Sequence, residues 1–307
     1  MKREEFLNLP VEEIRELIQE KGGMVSVCPI NGTRRWYQLE YPPDDSIADP
    51  IWDYIEVSAR AHIDLCKLFF NLGLETLVTP IFDSVMLGRN AEYARLAADG
   101  LMHMVEGEEF NRFYDEYDVR VRFYGHYEDC FRGTLLEPLG DKFAELTERT
   151  RHHNSYRLFF GICSAEEASI IITETVKFYE AFGRQPTQEE LIARFYGEAV
   201  KPADIFIGFG KFSIFSIPLL SAGDEDYYFT VSPSLYLTEE QLRDIVYDRL
   251  FGRRGDNVSY GTMSPEDQRL MRRFYHMNIG NTLGVGDKQV HGHYWYPLPQ
   301  VVFPEEF

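Results

Sequence analysis

The stretch Ile30-Asn31-Gly32-Thr33-Arg34-Arg35-Trp36 decides how this chain is read. It follows Met24 to Pro29, an apolar run with the make-up of a buried strand. In a doubly wound sheet the ligand crevice opens beyond the carboxyl ends of the strands, which is where this turn falls. Two arginines on a small-residue turn suit an anion there. Guanidinium presents a fixed fork of donors, and Gly32 lets backbone N–H groups come close. The same residues also describe a turn with two solvated arginines, so the local pattern leaves both readings open.

Outward from the turn, helical and strand patterns alternate. Upstream, apolar positions at surface-helix spacing run over residues 2–20, with Pro10 as a break. Downstream, Tyr41 to Ser46 is a loop rich in proline and aspartate, and a helix spans about Trp52 to Leu72, closed by Gly73. A strand follows over Leu74 to Phe82, then helices over Ala91 to Val105 and Glu108 to Tyr114, and a strand over Val119 to Tyr124. The series continues with a helix over Leu136 to Thr147, a strand over Tyr156 to Ile162 and a helix over Ala165 to Phe182. Thr187 and Thr238 open two further helices with capping-box patterns, and Ala203 to Ile207 and Tyr227 to Val231 read as strands. This order predicts an α/β fold, a doubly wound and mostly parallel sheet flanked by helices. A domain edge is expected at Gly252, with 1–252 as the α/β domain and 253–307 as a C-terminal extension packing on it.

Composition sets limits on partners. Hydrophobic residues make up 44% and charged residues 26% of 307, the balance of a folded chain rather than a disordered or membrane one. The net charge of −19 repels nucleic acid and acidic membranes, yet leaves room for a small anion held by nearby arginines within a Debye length of about 8 Å. No stable membrane insertion is expected, because no apolar stretch reaches about 18 residues. With an acidic amphipathic start in place of an apolar leader, the expected location is the cytoplasm. Cys28, Cys66, Cys130 and Cys163 form no C-x-x-C pair, so buried free thiols are expected. Asn31-Gly32-Thr33 and Asn257-Val258-Ser259 match the glycosylation acceptor pattern and are read as chance.

From about residue 24 to 255 the chain resembles the cis-prenyltransferase family, whose type member is undecaprenyl diphosphate synthase. Asn31 to Trp36 stands where that family has D-G-N-G-R-W, and Asp118 to Gly125 resembles its strand ending in R-F-I-G. Pro202 to Ile207 resembles its P-x-D-L-x-I, and Tyr228-Phe229-Thr230 its L-Y-F-T. Within the family, Gly32 to Trp36, Thr79 to Phe82, Phe206 to Gly210 and Pro218 to Ser221 are most similar to the branch containing tuberculosinyl adenosine transferase. The resemblance implies an enzyme that detaches diphosphate from a prenyl or cyclic diterpenyl diphosphate. Water, a nucleoside such as adenosine, or an internal alkene then takes the cation. It also implies a homodimer.

Two departures sharpen that expectation. Elongating members carry R-T-S-G-E-x-R-x-S after the P-x-D strand, and its arginines hold isopentenyl diphosphate. Here Gly208 and Ile214 stand at the arginine positions, Phe212 replaces the glutamate, and Ser216 agrees. An anion buried there lacks counter-charge, so no chain elongation is expected. Asn31 occupies the place of the family aspartate that helps bind Mg²⁺, and Asp83 to Gly88 is a degraded aspartate-rich stretch. A neutral amide is a poorer ligand for a hard cation, which puts the Mg²⁺ cofactor in question, and no metal ligands are assigned. The alternative is a non-catalytic subunit of a heteromeric cis-prenyltransferase, since such subunits also lack the aspartate.

The resemblance assigns diphosphate binding to Arg34 and Arg35, with donors from Gly32 and Thr33. It assigns catalytic roles to Asn31, Arg35 and Tyr54. Asn31 serves equally as a turn cap, and Tyr54 equally as a core residue. Phe82, Phe209 and Phe212 are candidates to face a cation, and Ser216 to bind substrate, against the alternative that they are core. His291-Gly292-His293 places two imidazoles on one side of an extended strand but is read as a polar tract. Gly208-Phe209-Gly210 lacks the third glycine of a dinucleotide site. Arg253-Arg254-Gly255 resembles a C-terminal R-x-G that reaches a partner subunit in some members, with a solvated helix end as the favoured alternative.

Overall fold

The computed structural model describes residues 1–42, 46–88, 91–253, 263–288, 295–298 and 300–304. The first layer of elements is α1 (Arg3–Leu7), α2 (Val11–Glu20), β1 (Val25–Val27), α3 (Thr33–Glu40), α4 (Pro50–Asn71) and β2 (Thr76–Phe82). Next come α5 (Ser84–Leu87), α6 (Ala91–Glu106), α7 (Glu108–Glu116), β3 (Val119–Tyr124), α8 (Tyr127–Phe131), α9 (Leu139–Arg149) and β4 (Tyr156–Ile162). The chain continues through α10 (Glu167–Phe182), α11 (Gln188–Tyr196), β5 (Ile205–Phe209), β6 (Asp226–Thr230) and α12 (Glu239–Tyr247). After it lie α13 (Pro265–Met277), β7 (Gly286–Lys288) and β8 (Trp295–Pro297).

Strands β1 to β6 form one sheet in the order β3-β4-β2-β1-β5-β6, and every pairing is parallel. Both faces are covered, so strand residues alternate between two cores: Leu158, Phe160, Ile205 and Ile207 on one side, and Val25, Val27, Phe159 and Phe206 on the other. The first core takes α1, α2, α4, α6, α7, α9 and α12, and the second takes α10 and α11. The chain leaves β1 toward β2 on one side and leaves β5 toward β6 on the other. The crevice at the carboxyl ends of β1 and β5 is therefore the topological switch point.

A buried arginine ties the opposite end of these strands. Arg249 bonds Asp204 at 2.8 Å and Asp226 at 3.1 Å, while Asp204 accepts the Val25 N–H at 2.8 Å. The aspartate of the P-x-D block is thus a clamp for β1, β5 and β6, far from the crevice.

Two expectations are corrected here. Cys130 and Cys163 form a disulfide across a separation of 33 residues, whereas Cys28 and Cys66 are buried free thiols as expected. The stretch Thr33 to Glu40 is not part of a turn but a helix that buries none of its residues. The two capping boxes form as read, with Thr187 and Thr238 each accepting the N–H three residues on. In the segment after Gly252, α13 also buries no residue, β7 pairs antiparallel with β8, and Trp295 meets Phe212 with ring centroids 6.0 Å apart. Asn257-Val258-Ser259, Arg254, Gly255 and His291-Gly292-His293 lie outside the described residues. Arg253 donates to Asp248 at 2.6 Å. Among the described residues no helix is long and apolar enough to cross a membrane.

Candidate active site

The turn after β1 is held from the far side of the crevice. Ser234, buried behind β6, donates its hydroxyl to the Pro29 carbonyl at 3.0 Å and accepts the Asn31 N–H at 3.1 Å, and its own N–H bonds the Asn31 carbonyl at 3.1 Å. Gly32 has φ +80° and leads directly into α3. A side chain there would strain the backbone, and its Cβ would come within 2.9 Å of the Phe209 ring and 3.0 Å of Pro233. Helix α3 has no side-chain cap, so the N–H groups of its first turn lack intrahelical and cap partners beside the crevice that Gly32, Thr33, Arg34 and Arg35 line.

Arg34 and Arg35 are both exposed at this helix start, and among the described residues neither meets a carboxylate. Each is placed over an aromatic ring instead. The Arg34 guanidinium lies 5.7 Å from the Tyr93 centroid, and that of Arg35 lies 5.6 Å from the Phe209 centroid. The rings orient the two forks without neutralising them, leaving two positive charges for a ligand.

Beneath the turn is a cavity of about 650 Å³ between α4, α6 and the carboxyl end of β2. Its mouth carries Asn31, Gly32, Thr33, Arg34 and Arg35, and its depth is apolar, with Ile55, Ile81, Phe82, Leu101, Met104 and Phe110. Tyr54 lines it as well, and burial raises its hydroxyl pKa, so it is a neutral phenol. The Asn31 amide has no hydrogen-bond partner among the described residues and is free to meet a ligand.

Several lining residues were not singled out from the sequence. His62 faces Thr33, with Nε2 3.4 Å from Oγ1, and burial pushes its imidazole down to about 4, so it is uncharged at neutral pH. Ser58, only 6% exposed, lies beside the Tyr54 hydroxyl and has no hydrogen bond of good geometry among the described residues. Along α6, Tyr93, Ala97, Gly100 and Met104 follow one helical face toward the cavity. The signal was present in the spacing: small residues at 97 and 100 on an apolar face leave room where a packed core would be filled.

The other predicted residues lie apart from the cavity. Phe209 borders the turn through Gly32 and Arg35 but does not line the space. Phe212 is 47% exposed and packs on Phe229, with centroids 4.7 Å apart. Ser216 is buried with φ +60°, and its carbonyl accepts the Tyr124 hydroxyl at 2.9 Å, so the segment after β5 is anchored by its backbone.

A cation-rimmed mouth over an apolar cavity at the switch point of a parallel sheet defines an enzyme of the cis-prenyltransferase fold, with room for an amphiphile bearing an anionic head. No protein-family model matches the chain. Tuberculosinyl adenosine transferase of Mycobacterium tuberculosis is 37% identical over 294 residues, 95% of this chain and 97% of that protein. The (+)-kolavelool synthase of Herpetosiphon aurantiacus is 25% identical over 298 residues, 95% of this chain and 94% of that protein. Among solved structures, lavandulyl diphosphate synthase from Lavandula x intermedia, in complex with dimethylallyl diphosphate, superposes with TM-score 0.58 at 11% identity, covering 75% of this chain and 95% of that one. A probable undecaprenyl diphosphate synthase from Campylobacter jejuni gives 0.54 at 14% identity, covering 76% and 97%. The chain belongs to the tuberculosinyl adenosine transferase family.

Proposed function

We propose that this enzyme ionises a prenyl or cyclic diterpenyl diphosphate and directs the resulting cation to water, to a nucleoside such as adenosine, or into a ring. The observation that carries the reading is the pair of arginines at the mouth of an apolar cavity, without carboxylate partners among the described residues. The C–O bond breaks with its electron pair leaving on diphosphate, where Arg34, Arg35 and the first N–H groups of α3 meet the growing negative charge. The phenols and phenyl rings along the wall stabilise the cation without trapping it. A nucleophile's lone pair, or the π electrons of an internal alkene, closes the new bond, and the proton released goes to solvent. The names of the two relatives, an adenosine transferase and a kolavelool synthase, support both kinds of outcome.

The residues present do not fit a protein-held Mg²⁺. Among the described residues no carboxylate lines the cavity and no three metal-ligating side chains cluster; Asp83, the residue after Phe82 in the wall, caps α5. Asn31 is also the feature that favours a non-catalytic subunit. The retained arginine pair and its free helix N-terminus weigh toward catalysis, because a structural subunit has no use for a phosphate clamp.

Chain elongation is absent from this reading, since Gly208, Phe212 and Ile214 offer no cation where a second diphosphate would sit. A homodimer remains part of it, supported by exposed Ile172, Val176 and Tyr179 at helical spacing along α10. The test is diphosphate release from geranyl, farnesyl and geranylgeranyl diphosphate and a bicyclic diterpenyl diphosphate, with mass detection of products. Release with an alcohol, alkene or adduct supports the proposal. No release from any of them rejects it.

A further inference from the structure

We propose that Ser58 and His62, one turn apart on α4, hold the water molecule that captures the cation, with His62 taking its proton, so that the product is an alcohol. The inference rests on the reading of the arginine turn as a prenyl diphosphate site, and it narrows the acceptor to water. Tyr54, Ser58 and His62 recur every fourth residue along α4, and all three line the cavity. They form a polar stripe in the wall below the mouth, where the neighbouring Ile55, Ala59 and Leu101 are apolar.

Ser58 and His62 are both short of partners for their polar atoms. Ser58 is 6% exposed, and its hydroxyl makes no hydrogen bond of good geometry among the described residues, although a hydroxyl donates one and accepts two. His62 Nε2 lies 3.4 Å from Thr33 Oγ1, beyond the roughly 2.7–3.2 Å of a full hydrogen bond. A water needs about 30 Å³ and two or more polar partners. The cavity of about 650 Å³ has the room, and the hydroxyl and the imidazole are the partners. Thr33 belongs to the mouth, so a water beside it stands near the carbon that loses diphosphate.

The stripe also contains the base. Among the described residues no carboxylate lines the cavity, burial keeps the proton on the Tyr54 phenol, and the other lining imidazole, His103, is engaged by Glu109 at 3.0 Å. Burial pushes the His62 pKa down to about 4, so at neutral pH one of its ring nitrogens carries a lone pair. In the reaction the ester C–O bond breaks with its pair on diphosphate, and a lone pair of the water forms the new C–O bond. The oxonium so formed is a far stronger acid than an imidazolium, so its proton moves to the His62 lone pair. Burial then disfavours the imidazolium, and the departing diphosphate takes the proton past Thr33 and carries it to solvent.

The experiment uses the full chain with the same prenyl and diterpenyl diphosphates in heavy-oxygen water, scoring labelled alcohol formed per diphosphate released by mass. His62→Phe replaces the base with an apolar ring. Ser58→Ala removes the other partner of the water at the loss of one atom, which keeps the test intact if the ring change disturbs packing. Each is expected to lower alcohol per diphosphate by about tenfold, the order of one buried hydrogen bond, with alkene formed in its place. An unchanged alcohol yield in either soluble variant overturns the assignment. Wild-type protein that releases diphosphate but forms no labelled alcohol overturns this inference alone. Protein that releases none overturns the reading beneath it as well.

Discussion

Arg35 sits over the Phe209 ring with no carboxylate partner among the described residues, and Asn31 beside it carries an amide where elongating relatives carry a charge. On the proposed reading, the two residues belong to a site that meets anionic charge with cations and N–H groups. Replacing Asn31→Asp puts a hard-cation ligand at the mouth and is expected to make the rate of diphosphate release more dependent on Mg²⁺ than in the wild type. Paired rate measurements in Mg²⁺ and EDTA check this, and an unchanged dependence contradicts it. His62 gives a pH signature. Its imidazole titrates near 4 when folded against about 6.5 unfolded, so the unfolded chain takes up the proton first. The stability it contributes is complete above about 6.5 and is lost as pH falls toward 4. Urea midpoints measured across that window are expected to drop in the wild type and to flatten in His62→Gln.

At the scale of elements, the turn depends on backbone geometry and on one distant hydroxyl. Gly32→Ala is expected to destabilise the fold by about 1–3 kcal/mol, because φ +80° strains any side chain and the Phe209 and Pro233 contacts leave no room. Ser234→Ala removes two hydrogen bonds at a buried site and is expected to cost about 1–3 kcal/mol. Urea denaturation measures both. The bounds of β3 and β4 were legible because β-branched and aromatic residues cluster there, and both capping boxes were legible because their chemistry is local. Helix α3 was not, since its eight residues follow directly on the Gly32 turn and read as part of it, and α13 was missed although Leu270, Phe274 and Met277 recur there at helical spacing. The cavity face of α6 was hidden differently. Leu101 and Met104 look the same in sequence whether they face a packed neighbour or a space. The Cys130–Cys163 pairing had no signal at all, because only the fold brings α8 against the end of β4.

Across the whole molecule, strand order decides where chemistry can happen. The chain winds outward in opposite directions from the parallel neighbours β1 and β5, which opens one crevice, and the Gly32 turn, the arginines at the start of α3 and Phe209 all border it. Arg249 fastens the same strands at their other end, which leaves the crevice end to ligand-bearing loops. A net charge of −19 surrounds this small cationic mouth, a setting that suits the small anion of the proposed reading and disfavours polyanions at the surface. With isopentenyl diphosphate supplied alongside an allylic diphosphate, no longer prenyl diphosphate is expected, and label incorporated into one contradicts the reading that Gly208 and Ile214 leave no guanidinium for a second diphosphate.

The most direct measurement compares single-turnover diphosphate release by wild type and Arg35→Ala under saturating prenyl diphosphate. The account predicts a loss of about 10²–10³-fold, the scale of removing one preorganised donor from a developing negative charge, with partial recovery in Arg35→Lys. Release by Arg35→Ala within a few-fold of wild type contradicts the claim that this arginine turn holds the leaving group.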